Sequence, residues 1–190
     1  MEISSSLFSI SFKRTNIYTI FLSLSWTVSI FSQDSPPLLS EQLQPLEKFI
    51  GKTWRGEFVT STPEKPIIDI SRWERALNGQ AIRILHSINN GEYGGETLIV
   101  WDSEKAKLVF YYFTTARFFT QGSIEISDGE MSSHEFVTGN ENGITEVKAV
   151  ATILGDGRLH SKSQYLQNGK WVDGHEIFYS EDPTSEVIFK

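Results

Sequence analysis

From Gly51 onward, short runs of alternating apolar and polar residues are separated by tight-turn sequences. About ten such runs can be counted, and their period of two is that of a β-strand. The candidate turns lie at Asn78-Gly79, Asn90-Gly91, Asp102 to Lys105, Thr115-Ala116, Asp128-Gly129, Asn142-Gly143, Asp156-Gly157 and Asn168-Gly169. Asn-Gly and Asp-Gly accept the positive φ angles of two-residue hairpin turns. Because a meander removes its exposed edges by closing on itself, the sequence predicts an all-β fold, a single antiparallel meander β-barrel of about ten strands.

A short helix is predicted immediately before the first strand. Its apolar residues recur at intervals of three and four, at Leu43, Leu46, Phe49 and Ile50. Ser40 is a candidate N-cap, and Gly51 is expected to end the helix. The strand pattern begins directly afterwards, at Trp54.

The first segment of the chain is typical of a secretory signal. Lys13 and Arg14 precede an apolar run over 17–31, and a small residue, Ser32, follows it. We therefore expect a signal peptide over 1–32, a linker over 33–40 and the barrel domain over 41–190, with the mature protein secreted or periplasmic. The apolar run is too short for a confident membrane span, so no stable membrane insertion of the mature domain is expected.

Composition agrees with one folded domain and excludes several functions. The 190 residues are 39% hydrophobic and 13% aromatic, which suffices for a core. The net charge of −7 argues against nucleic acid as a partner, because phosphate binding requires a basic surface. With no cysteine, the chain has neither disulfides nor thiolate chemistry. No common nucleophile or nucleotide-binding motif occurs, so the sequence favours a protein without catalytic activity.

The opening of the predicted barrel resembles that of the calycins, the superfamily of lipocalins and fatty-acid-binding proteins. Gly51 and Trp54 follow a short helix and precede only antiparallel strands, although the usual calycin form is Gly-x-Trp. The order of Trp73, Leu77-Asn78-Gly79 and Tyr93-Gly94-Gly95 after it is similar to a group of uncharacterised bacterial single-domain barrels. The resemblance implies that the interior binds a small hydrophobic or amphipathic ligand.

A more distant resemblance is to the nitrobindins, which open with a helix and Gly-Thr-Trp-x-Gly. Here the segment 51–56 reads Gly-Lys-Thr-Trp-Arg-Gly, with one residue inserted. Nitrobindins are ten-stranded barrels that hold haem through a histidine on a C-terminal strand, and His175 matches that histidine by location. The resemblance thus implies an alternative in which His175 ligates haem and the protein acts on nitrogen oxides or peroxides; otherwise no cofactor is expected.

Aromatic and polar residues on the strands are the candidates for ligand binding, because aromatic rings supply contact area and a few polar groups orient a ligand. The predicted site residues are Trp73, Arg83, His86, Trp101, Tyr111, Phe113, Phe118, Tyr165 and His175. Alternation places Ile82, Ile84, His86 and Ile88 on one strand face and Arg83 on the other. A buried arginine would need a carboxylate, for which Glu74 and Glu96 are candidates.

Two further expectations concern the metal content and the outer surface. The four histidines, His86, His134, His160 and His175, lie on separate predicted strands without zinc-motif spacing, so no metal site is predicted. The fifth strand, 108–114, is apolar on both faces and should be covered on its outer side by the helix or by a partner subunit. The sequence therefore leaves open a homodimer, and also a structural module whose barrel is filled by its own side chains.

Overall fold

The computed structural model describes residues 38–139 and 142–190, and these form a closed antiparallel barrel of ten strands. The strands are β1 (Thr53–Phe58), β2 (Ile68–Ala76), β3 (Ala81–Ile88), β4 (Tyr93–Asp102), β5 (Lys107–Thr114), β6 (Phe119–Ser127), β7 (Glu130–Val137), β8 (Ile144–Ile153), β9 (Leu159–Gln167) and β10 (Lys170–Glu181). Each strand pairs with its neighbour in sequence, and β1 pairs with β10 to close the ring. The predicted meander barrel is confirmed.

One end of the barrel is covered by the predicted helix, which is a 3₁₀ helix over Glu41–Phe49. Leu43, Leu46 and Phe49 are completely buried. Their spacing of three matches the three residues per turn of a 3₁₀ helix, so all three side chains point into the barrel end. Phe49 stacks on Trp73 with ring centroids 4.9 Å apart. We call this the helix end of the barrel and the opposite one the open end.

The predicted N-cap at the start of the helix is wrong, and the predicted glycine stop at its end is confirmed. Ser40 makes no side-chain capping bond; instead its backbone N–H donates to the carbonyl of Gly79 at 2.9 Å. Gly51 follows the helix with φ of 75°, as the prediction of a glycine stop requires. In the last turn of the helix, Lys48 Nζ donates to the carbonyl of Gly129, in the turn between β6 and β7, at 2.6 Å.

Two of the predicted turns, Asp128-Gly129 and Asn168-Gly169, have the backbone angles of hairpin turns. Asp128 and Gly129 have φ of 51° and 80°, and Asn168 and Gly169 have φ of 50° and 78°. Both central residues are therefore left-handed, as a two-residue hairpin turn demands. A second short 3₁₀ helix, Leu77–Gly79, lies at the predicted Asn-Gly turn between β2 and β3.

A β-bulge interrupts the pairing of β10 with β9 between Asp173 and Glu176. The bulge falls at Asp173-Gly174, and a glycine inside a strand pattern is typical of a bulge. The Ser163 hydroxyl lies in the bulge and accepts a hydrogen bond from the backbone N–H of His175 at 2.8 Å. The extra residue decides which way His175 points.

The outer face of β5 is covered only in part by the described residues. Val109 is buried, whereas Tyr111 is 39% and Phe113 49% exposed. Phe113 pairs with Phe119 of β6 at a centroid distance of 6.2 Å. The described residues, the helix included, therefore leave Tyr111 and Phe113 partly uncovered, and the prediction of a homodimer stays a prediction.

The predicted signal peptide, 1–32, lies outside the described residues, as do residues 33–37 of the predicted linker. Of the remaining linker residues, Leu39 is part of the buried core. Among the residues that the structure describes, no helix is both long and apolar enough to cross a membrane.

The C-terminal segment after β10 runs along the outside of the barrel. The backbone N–H of Asp182 donates to the Thr53 carbonyl at 2.8 Å, and that of Ile188 donates to the Ser87 hydroxyl at 3.0 Å. Ser87 is consequently almost completely buried although its side chain points away from the barrel interior. The alternating pattern of the strands gives no indication of this segment.

Candidate functional site

The barrel encloses a cavity of about 820 Å³. This volume lies within the range of pockets that hold small molecules and cofactors. Side chains from all ten strands reach it, because in a closed barrel every second residue of each strand points inward.

The cavity wall is apolar toward the helix end. Ile99 of β4 and Phe110 of β5 are opposite one another in register, and Ile124 of β6 lies beyond them. Trp73, which packs on the helix, and Met131 complete this part of the wall. An apolar part of a ligand would gain contact area here without leaving a buried polar group unpaired.

A chain of hydrogen bonds crosses the wall nearer the open end. Asp69, only 4% exposed, accepts from the Tyr179 hydroxyl at 2.8 Å, and its other oxygen is 2.9 Å from His86 Nδ1. His86 Nε2 is 2.7 Å from the Tyr112 hydroxyl, which is 3.0 Å from the Tyr93 hydroxyl. The carboxylate can only accept, so His86 Nδ1 carries a proton. Five strands are thus joined by one polar chain.

Glu135 on β7 is the second carboxylate of the wall, half-way around the strand order from β2. One of its oxygens accepts from the hydroxyl of Thr120, a buried residue of β6. The other oxygen has no donor among the described residues. Burial raises the pKa of Glu135, because the ionised form loses its hydration, while the bond from Thr120 acts in the opposite direction.

His175 on β10 also faces the cavity. Its ring meets Phe58 edge-on at 4.7 Å and Tyr165 edge-on at 5.4 Å between centroids. Neither ring nitrogen has a hydrogen-bond partner among the described residues. His175 is exposed toward the cavity, while Phe58 and Tyr165 pack against its ring and partly desolvate it. This desolvation lowers the pKa of His175, partly opposed by the charge of Asp69.

Of the nine residues predicted for the site, the structure brings five together at the cavity. These are Trp73, His86, Phe118, Tyr165 and His175. The other four, Arg83, Trp101, Tyr111 and Phe113, do not line it.

The four remaining residues lie elsewhere for identifiable reasons. Arg83 and Tyr111 are on the outward-facing side of their strands, as is Phe113, which alternates with the inward-facing Tyr112. Arg83 pairs there with Glu74, one of the two carboxylates suggested by the sequence. Trp101 is opposite Leu108 and so shares the inward side, but it lies beyond Ile99 at the helix end, where it is 36% exposed.

The four histidines divide between the two faces of the barrel. His86 and His175 line the cavity, whereas His134 pairs with Glu146 at 2.7 Å and His160 with Glu176 at 2.9 Å on the outer surface. Among the described residues, no group of three or more histidine, aspartate or glutamate side chains has the arrangement of a metal site.

Sequence reasoning missed the polar residues Asp69, Tyr93, Tyr112 and Glu135. Glu135 alternates in phase with Met131, Ser133 and Val137, all of which line the cavity. That phase is the signal in the sequence, but a glutamate on a strand is usually an outward residue.

Comparison with solved structures finds a similar fold in the crystal structure of Rv2717c from M. tuberculosis. The TM-score is 0.55 at 11% sequence identity, and the alignment covers 76% of this chain and 99% of that chain. At this identity the likeness extends to the fold alone. No protein-family model and no curated protein matches the sequence.

Proposed function

We propose that this protein is a calycin-like barrel that binds a small amphipathic or hydrophobic molecule in its interior without catalysing a reaction. The observation that carries the proposal is the cavity of about 820 Å³, apolar toward the helix end and polar nearer the open end. A barrel of this fold that served only as a structural module would need no such space. The predicted signal peptide over 1–32 would direct the protein to the periplasm or outside the cell.

A probe and two matched variants test this proposal. The neutral dye N-phenyl-1-naphthylamine, which fluoresces in apolar surroundings, is expected to bind saturably. Ser161 lines the cavity, so Ser161→Phe should fill part of it and weaken binding roughly tenfold, a change of about 1.4 kcal/mol. Gln164→Phe adds the same ring to the exposed outer side of the same strand and should leave affinity unchanged.

Either of two results would contradict cavity binding. One is equal affinity of wild type and Ser161→Phe; the other is a signal that never saturates. If the dye binds saturably, native mass spectrometry after exposure to a lipid and metabolite extract would identify the natural ligand.

A second candidate function is haem binding, and His175 is the observation that favours it. Its low pKa keeps the imidazole neutral, the form that ligates metal, and its ring nitrogens have no partner among the described residues. His175 would hold the iron, and Phe58 and Tyr165 would orient its ring. Haem, when bound, supplies iron chemistry toward nitrogen oxides or peroxides. No lysine or arginine lines the cavity among the described residues, so the propionates would have to reach solvent.

Haem titration tests this second candidate. We expect a Soret band that is lost or strongly shifted in His175→Ala and retained in His134→Ala, since His134 lies on the outer surface. A wild-type protein that produces no band, or a band indifferent to His175, eliminates it.

A further inference from the structure

The charged groups on the cavity wall are of one sign. Asp69 and Glu135 line the cavity, and none of the lining residues that the structure describes is a lysine or an arginine. The arginines of β2 and β3 are paired with glutamates outside the cavity: Arg72 and Arg83 with Glu74, and Arg75 with Glu47. A ligand that brought a carboxylate or phosphate into this interior would meet two acids and, among the described lining residues, neither a lysine nor an arginine.

The two acids differ in whether each carboxylate oxygen already has a hydrogen-bond donor. Both oxygens of Asp69 are engaged, one by Tyr179 and one by His86, so this carboxylate is satisfied by the protein itself. Glu135 has only the Thr120 hydroxyl, and its second oxygen has no donor among the described residues. A partly buried carboxylate without a cation and with an unused oxygen is costly to the folded protein.

Glu135 lies where a ligand would pass. Burial raises the pKa of the phenols of Tyr93 on β4, Tyr112 on β5 and Tyr165 on β9, and the charge of Glu135 adds to the rise in each case. These phenols come from both sides of β7 around the ring, so the carboxylate is directed into the cavity rather than along the wall. Because they stay neutral, the phenols do not compete for a cation, and their rings offer faces that attract one.

We propose that the ligand of this barrel carries a protonated amine, which pairs with Glu135 while the apolar remainder lies against Trp73, Ile99 and Phe110. This inference rests on the proposed function and adds the chemical class of the ligand to it. An ammonium group supplies both features that Glu135 lacks, a hydrogen-bond donor and a compensating charge. The apolar body then lies against the apolar part of the cavity wall.

Three ligands of equal chain length and different head group test the inference by calorimetry at pH 7: octylamine, octan-1-ol and octanoate. Wild type is expected to bind octylamine about tenfold more tightly than octanol, in line with a charge-assisted hydrogen bond, and octanoate most weakly. In Glu135→Gln, which keeps an acceptor for Thr120, octylamine should fall to the affinity of octanol. Glu125→Gln, a charge removal on the exposed face of β6, should keep the wild-type order.

The outcomes distinguish failure of this inference from failure of the proposed ligand-binding function. Octanoate that equals or exceeds octylamine in wild type overturns the inference, and so does an amine preference that survives in Glu135→Gln. In both cases binding of octanol still supports a ligand-binding cavity. Failure of all three compounds to bind wild type overturns both proposals. The wild-type order is decisive even if Glu135→Gln does not fold.

Discussion

Glu135 is a carboxylate on the cavity wall whose charge the folded protein compensates only in part. Only one of its oxygens has a donor among the described residues, and no lysine or arginine is among the described residues that line the cavity. Burial therefore disfavours the ionised carboxylate and raises its pKa in the folded protein. Shifted pKa values are common at binding and catalytic sites, where the titratable group interacts with a ligand or substrate.

Replacing this carboxylate by an amide should stabilise the ligand-free protein at neutral pH. Since the folded pKa lies above the unfolded one, the contribution of Glu135 to stability is complete below the unfolded pKa, about 4.3, and is lost as pH rises through the folded pKa. Glu135→Gln lacks this loss, so its advantage in the free energy of unfolding should be absent near pH 4 and grow as pH rises.

Urea unfolding followed by tryptophan fluorescence at a series of pH values measures this difference. Glu125→Gln is the matched control, because Glu125 is exposed on the outer face of β6. An advantage of Glu135→Gln that is constant with pH, or that grows toward acid, would contradict the assignment of a raised pKa.

Single residues also show where reading the sequence succeeds and where it does not. His86 is on a strand whose alternation is clear, and Phe118 directly precedes β6 in phase with the inward-facing Thr120; both line the cavity. Strand β5 is apolar on both faces, so its pattern cannot tell Tyr111 from Tyr112; Tyr112 turned out to face inward. Arg83 is out of phase with His86, and alternation alone excludes one of them from the interior.

At the level of elements, the 3₁₀ helix is what closes one end of the cavity. Leu43, Leu46 and Phe49 are completely buried, although the helix contains Pro45 and lacks a side-chain cap. Helical propensity therefore contributes little here, and the packing of three side chains against the barrel end holds the helix in place.

Truncating one of these side chains should cost much of the stability of the domain. Leu46→Ala removes a completely buried side chain and is expected to lower the free energy of unfolding by about 2–5 kcal/mol. Gln44→Ala, on the exposed side of the same helix, should change it by less than about 0.5 kcal/mol. Guanidinium unfolding curves compare the two, and a Leu46→Ala effect as small as that of Gln44→Ala would show that the helix is not anchored by its apolar face.

For the whole molecule, local signals predicted the fold better than the site. The turns and the helix stop at Gly51 each depend on a few adjacent residues, and both are present in the structure. The polar chain from Tyr179 through Asp69 to Tyr93 depends on how five strands align after the barrel closes. Register between distant strands, such as β1 and β10, is not encoded in any one segment.

The pairing of β1 with β10 makes the order of strands cyclic. Every strand would keep both neighbours if the chain began at a different hairpin, for instance at the exposed turn of Asn168 and Gly169, provided that the present strand termini were joined by a linker. A circularly permuted chain could thus form the same barrel, because the strand pairings do not depend on which strand comes first.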